Sequence, residues 1–419
     1  MSKVSFFLLA IVVSLISDFA RAKRIEIPPI TEEHPRLLLK QSDLVTIKQR
    51  VNQREEPWYS NWAVLKSNID DHIEKGKKPN PYTGDDNRVG FFPACREDSG
   101  YARDLAMAYW ITGEKKYADE SLKMLLGWAQ NAPLPGADFD PNISYPALGM
   151  AVARGSLSFI WTYDLLYNYS GFTPEQKKVV ENWFQLLLSH IKTGAKRWEE
   201  NDYFDKQYYQ NHAAAHTLGM AALGYALGDE ELVRYALDSV DNSKDMLDLI
   251  EGCILMRGET PYYREPDFQV HDGEIYDRYR HFQMEGHYRD YVTKPNLGLR
   301  YSHLTLLLLT TAAEIAYNNG VDLYSYTAPS GENLELCFDF YADFFRLKDD
   351  SLRGGFYSGE KDCLTQEETG ECLFELGHKH YPSNKAVKLL LQSADRIRGE
   401  VAILGKASLY FGQPLNCDK

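Results

Sequence analysis

The sequence predicts an all-α fold, a single-domain toroid of helical hairpins, and three observations carry that prediction. Between about 40 and 350, apolar residues recur mostly at helical spacing. The helices so marked are of two kinds, some apolar on nearly every side and some along one stripe only. Two segments also echo each other: LAMAYWITGEKKYADESL at 105–122 and LGMAALGYALGDEELVRYAL at 218–237 each read apolar helix, Gly-acid turn, then a second helix with a central Tyr-Ala. Hairpins with one all-apolar and one amphipathic member stack as a double layer, the all-apolar helices inside, which gives an incomplete α/α barrel.

Each element follows in chain order. Lys3, the run FFLLAIVVSLI and Ala20-Arg21-Ala22 form the charged, apolar and small-residue parts of a secretory signal peptide, so residues 1–22 read as a leader and 23–419 as one exported domain. The stretch 83–100 is rich in Gly, Pro and charge and reads as a cleft-lining loop. LAMAYWI at 105–111 is an inner helix. TPEQKKVVENWFQLLLSHI is an outer one: Thr173 caps it, Pro174 suits its first position, Gln176 completes a capping box, and Val180, Trp183, Phe184, Leu187, Leu188 and Ile191 form one stripe. AAAHTLGMAALGYAL at 213–227 and LTLLLLTTAAEIAY at 304–317 are inner helices, with GVDLYSY at 320–326 closing a third pair. The tyrosine-rich region 251–297 reads as a second set of cleft loops. After 350 the chain reads as loop or short strand before a last helix near 384–399.

Composition removes whole classes of function. A net charge of −14 excludes a nucleic-acid binder, which needs a phosphate-neutralising basic face, and obliges any anionic ligand to find a local basic cleft. After the leader no stretch approaches the roughly 20 apolar residues of a membrane span, so a soluble secreted or periplasmic monomer is expected. The six cysteines lack the CxxC spacing of a zinc site, and export permits disulfides; Cys363 with Cys372 is the expected bridge.

The densest chemistry stands at QNHAAAH, 210–216, where an oily helix opens on polar groups. If all inner helices run the same way, Asn211 and His212 share one mouth of the toroid with Tyr301 in NLGLRYSH. A helix N-terminus carries partial positive charge, which holds a histidine neutral and favours an anion or a tyrosinate. Asn211 is an N-cap candidate. His212 and His216 make an HxxxH pair, but no HExxH motif occurs, so a metal is not expected and His216 reads as a cleft contact. Arg300 and His303 flank Tyr301, and Arg289, Lys294, His281 and His287 precede it, a cationic surrounding able to receive an acidic substrate. The competing reading is a solvated face on which these cations balance Asp272, Glu274, Asp277, Glu285 and Asp290. Tyr101 and Arg103, at the start of the first inner helix, complete the candidate substrate contacts.

QNHAAAH, the stretch LRYSHLTLLLLTTAAEIAYNNGVDLYSY at 299–326, RDLAMAYWITGEKKYADESLKMLLGWA at 103–129 and HPRLLLK at 34–40 together resemble the alginate lyase superfamily, especially polysaccharide lyase families five and thirty-eight. The resemblance spans most of the mature chain, and its most specific part is the tyrosine helix with its GVDLY ending. It implies that Asn211 helps neutralise a substrate carboxylate, that His212 aids this or acts as base, and that Tyr301 is acid and base. Two departures from family five stand out: Ala213 and Ala214 replace an aromatic pair, and Lys294 replaces an arginine seven residues before the tyrosine. Arg289 or Arg300 is the candidate for the missing arginine's role.

The implied reaction is β-elimination on a uronic-acid polysaccharide, alginate or polymannuronate first and glucuronan second. The residue types suit it. The carboxylate must be neutralised before the C5 proton becomes acidic. One tyrosine can take that proton and return one to O4 when both lie on the same face, with no metal or organic cofactor. The rival readings are a glycoside hydrolase of the same fold, with its two carboxylates drawn from Asp202, Asp205, Glu265, Asp267 and Asp272, and a non-catalytic polysaccharide-binding protein.

Overall fold

The computed structural model describes residues 24–83, 90–131, 145–200, 209–259, 270–275, 298–347, 370–397, 399–401 and 403–415. The helices are α1 (Gln41–Asn52), α2 (Trp58–Glu74), α3 (Phe91–Thr112), α4 (Lys115–Asn131), α5 (Tyr145–Leu166), α6 (Pro174–Glu199), α7 (Asn211–Leu227), α8 (Glu230–Leu237), α9 (Met246–Cys253), α10 (Gly298–Asn318), α11 (Leu334–Leu347), α12 (Phe374–His380), α13 (Lys385–Ser393) and α14 (Ala407–Tyr410). The described strands are two residues each, β1 (Ile254–Leu255) against β2 (Glu274–Ile275), antiparallel. The fold is the expected all-α one.

Two layers are evident from which helices touch. α3 packs on α5, α5 on α7 and α7 on α10, while α4, α6 and α8 each pack behind the inner helix they follow. α7 is buried from Asn211 to Ala226, and α6 buries only its stripe, including all six apolar residues expected there. The α6 start is the expected capping box, with Thr173 accepting from the Gln176 N–H at 3.3 Å and donating its own N–H to Gln176 Oε1 at 2.9 Å. Small residues set the inner spacing: a Cβ on Gly219 of α7 would stand 2.8 Å from the Ala153 Cβ of α5.

The inner helices run parallel, and the cross-contacts give the register. From α3 to α5, Ser99 donates to the Gly155 carbonyl at 2.9 Å, Arg103 to Ser158 Oγ at 3.2 Å and Trp110 to the Leu165 carbonyl at 2.9 Å, so the two rise together. Gly149 and Ala153 of α5 climb in step with His216 and Gly219 of α7. The C-terminal ends of α7 and α10 meet one segment: Arg36 Nε donates to the Tyr225 carbonyl at 2.9 Å, and Asn318 and Asn319 donate to the carbonyls of Leu37 and Arg36 at 2.9 and 2.8 Å. Asp164, at the end of α5, accepts from the Arg36 and Leu37 N–H groups. The HPRLLLK segment is therefore the floor of the toroid, and the four inner N-termini open at the other end.

The C-terminal segment occupies the lumen above that floor. Tyr410 and Phe411 lie against the Trp161 ring of α5, and the Tyr410 hydroxyl donates to Asp104 of α3 at 3.1 Å. α12 is tied to α10 by buried Glu314, which accepts from Lys379 at 2.5 Å and pairs with His380 at 2.7 Å.

Four expectations need correction. The stretch from Phe91 to Gly100 is the first half of α3, not a loop: Pro93 lies in the first turn, where its missing N–H costs nothing, and Phe91 and Cys95 are fully buried. The last helix ends at Ser393 rather than near 399, and the short α12 and α14 were not anticipated. GVDLYSY belongs to the connection before α11, whose Phe345 backs α10 by meeting the ring of His303. Cys372 is a free, buried thiol, packed where Gly399 approaches its sulfur and Ser408 donates to it at 3.7 Å, so the bridge to Cys363 is not formed; Cys363 itself lies outside the described residues.

Candidate active site at the toroid mouth

Asn211 is the first residue of α7 and His212 the second; the cap position belongs to Gln210, whose backbone is extended, so Asn211 is not the N-cap. Asn211 is buried and His212 nearly so, and the His212 ring stacks on Trp198 at 4.6 Å between centroids, 14° from parallel. Trp198 closes the stripe of α6 and so orients the imidazole from the outer layer. One turn further on, His216 is buried beside α5, and Gly149 leaves it room: a Cβ there would stand 2.9 Å from His216 Nε2 and 2.9 Å from the Gly194 Cα.

Tyr301 is the fourth residue of α10, half-buried against the core. α7 and α10 are parallel neighbours, so Asn211, His212 and Tyr301 share the N-terminal turns of adjacent inner helices at one mouth. Tyr209 precedes this cluster, with Lys244 Nζ 4.9 Å above its ring. Burial pushes the Tyr209 phenol up to about 12 and lowers the Lys244 ammonium, so the rim is partly desolvated on this side.

The remaining candidates divide. Tyr101 and Arg103 lie on α3, both nearly buried, at a separate cleft of about 350 Å³ that also touches His72, Lys77, Arg96 and Glu400. Burial raises the Tyr101 phenol, and Arg103 pairs with Asp104 at 2.8 Å. His303 is a correction. It is fully buried against Phe345 and Phe374, because two residues on from Tyr301 is about 200° around the helix, on the flank that faces the outer layer. Arg289, Lys294 and the side chain of Arg300 lie outside the described residues. Among the described residues no group of three or more His, Cys, Asp or Glu is placed to hold a metal, so the HxxxH pair has no third ligand there.

Sequence reasoning missed Trp198, Phe92, Arg96 and Arg154. The guanidinium carbons of Arg154 and Arg96 lie over the Phe92 ring at 4.6 and 5.5 Å, on the α5 and α3 side of the mouth. Arg154 had a legible signal, a lone cation in the apolar run ALGMAVARGSLSFIW.

Comparison with known proteins agrees with this architecture. The chain superposes on an alginate lyase from Bacteroides ovatus with a TM-score of 0.59 at 15% identity, covering 91% of this chain and all of that one. It superposes on alginate lyase A1-III from Sphingomonas species A1 with a TM-score of 0.52 at 17% identity, over 81% of this chain and 86% of that one. A tyrosine-to-phenylalanine variant of A1-III, solved with a tetrasaccharide, gives 0.53 at 18% identity, over the same shares. Among curated proteins no sequence match is found. The sequence model of the alginate lyase family matches residues 48–253 and 264–351, most of the chain, and the protein therefore belongs to the alginate lyase family and is a polysaccharide lyase.

Proposed function

We infer that this lyase cleaves a uronic-acid polysaccharide, alginate or polymannuronate first and glucuronan second, by β-elimination, with Tyr301 as acid and base. The observation that carries this reading is the pairing of the Asn211–His212 turn with the Tyr301 turn on adjacent parallel helices. The variant of A1-III bound to a tetrasaccharide supports an oligosaccharide ligand for the fold.

In this reading Asn211, with His212 and a nearby arginine such as Arg300 or Arg289, takes up the charge that grows on the carboxylate as the C5 proton leaves. Trp198 keeps His212 in one orientation. Tyr301 removes that proton as tyrosinate and then donates it to O4, so the C4–O4 bond breaks as the C4–C5 double bond forms. Where proton and leaving oxygen lie on opposite faces, as in guluronate, His212 takes the proton and Tyr301 serves as acid. His216 and Lys294 complete the contacts to the sugar. The leader at 1–22 supports a secreted or periplasmic site of action, the remaining chain forming one domain. Among the described residues no helix is long and apolar enough to cross a membrane.

The test is ultraviolet absorbance of the new double bond on a panel of polyuronates. The parent should produce it on at least one. Tyr301→Phe keeps the ring and should lose on the order of 10²–10⁴ in rate while remaining folded. A folded Tyr301→Phe protein with near-parental lyase activity refutes the assignment.

A further inference from the structure

The cleft between α2, α3 and the segment around Glu400 contributes no residue to the elimination proposed above. It holds about 350 Å³, at the lower end of the range for small-ligand pockets, about 300–1,000 Å³. Helix periodicity builds its walls. Glu97, Gly100, Tyr101 and Asp104 stand at i, i+3, i+4 and i+7 on α3, and Asn68 and His72 at i and i+4 on α2, so each helix turns one stripe to the cleft.

Gly100 keeps the space open. A Cβ there would meet nothing nearer than the Arg103 guanidinium at 3.8 Å, an ordinary contact, so packing does not demand a glycine. A glycine inside a helix costs about 0.5–1 kcal/mol against alanine, and here that cost keeps side-chain bulk out of the cleft.

The charges of the lining cancel. Lys77, Arg96 and Arg103 stand against Glu97, Asp104 and Glu400, with Lys77 on Glu97 at 2.9 Å, Arg103 on Asp104 at 2.8 Å and Glu400 held by Lys406 at 2.9 Å. An anion finds no net attraction here, in a chain whose net charge is −14. What the walls offer is hydrogen bonding. A carboxylate has about four lone-pair sites and keeps some after pairing, and Glu97 and Glu400 are exposed at the rim. Asn68, also exposed, brings an amide that both donates and accepts. Further in, the Tyr101 hydroxyl and His72 Nδ1 are buried without a hydrogen-bond partner among the described residues, and an orphaned group of this kind costs about 1–3 kcal/mol. The His72 ring stands edge-on to Tyr101 with centroids 5.0 Å apart and is itself only partly buried.

We propose that this cleft is a second carbohydrate site, for an uncharged pyranose unit, built from none of the residues assigned to elimination. The sugar's hydroxyls meet Glu97, Glu400 and Asn68 at the rim, and a turn of the His72 ring lets one of them reach the Tyr101 hydroxyl. The inference does not use the polyuronate reading, because the balanced lining selects against a uronate.

The test is a ligand-observed nuclear magnetic resonance titration of the mature chain, 23–419, in the Tyr301→Phe background, with the neutral disaccharides mannobiose and cellobiose and with a diuronate as competitor. At least one neutral disaccharide should bind saturably and should not be displaced by the diuronate. Gly100→Leu, which fills the cleft, should weaken that binding at least tenfold, Asn68→Leu about fivefold, and Gly100→Ala less than twofold. No saturable binding overturns the site, as does binding that survives Gly100→Leu or displacement by the diuronate. Should Gly100→Leu fail to fold, Asn68→Leu, on an exposed side chain, decides the matter. Failure of the Tyr301-intact chain to release unsaturated product from any polyuronate would sink the elimination reading and leave this result standing.

Discussion

Replacing Asp164 by alanine should unfasten the floor of the toroid. The carboxylate is fully buried and accepts from His34 Nδ1 at 2.6 Å, from the Arg36 N–H at 2.9 Å and from the Leu37 N–H at 2.8 Å. Alanine leaves three buried donors without an acceptor, each costing about 1–3 kcal/mol. Taking the lower half of that range, the loss is roughly 3–6 kcal/mol. Unfolding entropy near 2.1 cal/mol/K per residue gives about 0.8 kcal/mol/K for a chain of this length, so the melting midpoint should fall by roughly 4–7 °C. Asp164→Asn keeps one acceptor oxygen and should fall between. Thermal unfolding followed by far-ultraviolet circular dichroism reads the shift, with urea unfolding as the check on free energy. An alanine variant melting within a degree of the parent would show that water satisfies these donors and that the floor is not held by this carboxylate.

Three further outcomes follow from packing and charge. Burial pushes the Glu314 carboxyl up, but His380 and Lys379 outweigh it and hold it below the usual range; that stability is complete above about pH 4.3 and is lost as pH falls through the lowered folded value, so Glu314→Gln should flatten the acid limb of the stability curve, and parallel acid-unfolding curves for parent and variant would refute it. Gly219→Val would drive a side chain into Ala153 and Ile191, which a glycine leaves 2.8 and 2.9 Å from its missing Cβ, and should cost at least about 2 kcal/mol by urea midpoint; a neutral result would mean that α5 and α7 can separate freely. Cys95, Cys337 and Cys372 are free and buried, so a thiol reagent should find at least three reactive groups only after denaturation without reductant, and fewer would reinstate a bridge at Cys372.

How far the sequence could be read depended on how local each cause was. The α6 start was legible because Thr173 and Gln176 satisfy each other within four residues. The inner helices were legible because burial on every side leaves no polar stripe, as in α7. The first half of α3 was not, since its Pro, Gly and charges mimic a loop and only contacts with α5 and α4, such as Ser99 to Gly155 and Trp128 to Asp98, hold it helical. α12 is fixed by pairs far away in sequence, Lys379 to Glu314 and Arg396 to Glu375 at 2.6 Å, which no window around 374–380 contains. At the site, Asn211, His212 and Tyr301 stood out because polar groups open apolar helices. His303 misled because adjacency in sequence was read as adjacency in space, against the 3.6-residue turn. Arg154 escaped notice because its ring partner, Phe92, lies on another helix, and Arg96 because it stands one turn from Phe92 in a stretch read as a loop.

The floor also fixes an order of events during synthesis. Asn318 lies 281 residues after the Leu37 carbonyl it binds. At roughly 5–20 residues per second, α10 emerges between about 15 s and 1 min after the segment it must clasp. Until then Arg36 and Leu37 can reach Asp164 but not their last partners, so the barrel closes from its oldest end only when its youngest inner helix arrives. Completion of this N-terminal clasp is therefore among the final steps of maturation, and a chain truncated before 298 would hold the first three inner helices with the closing clasp still open.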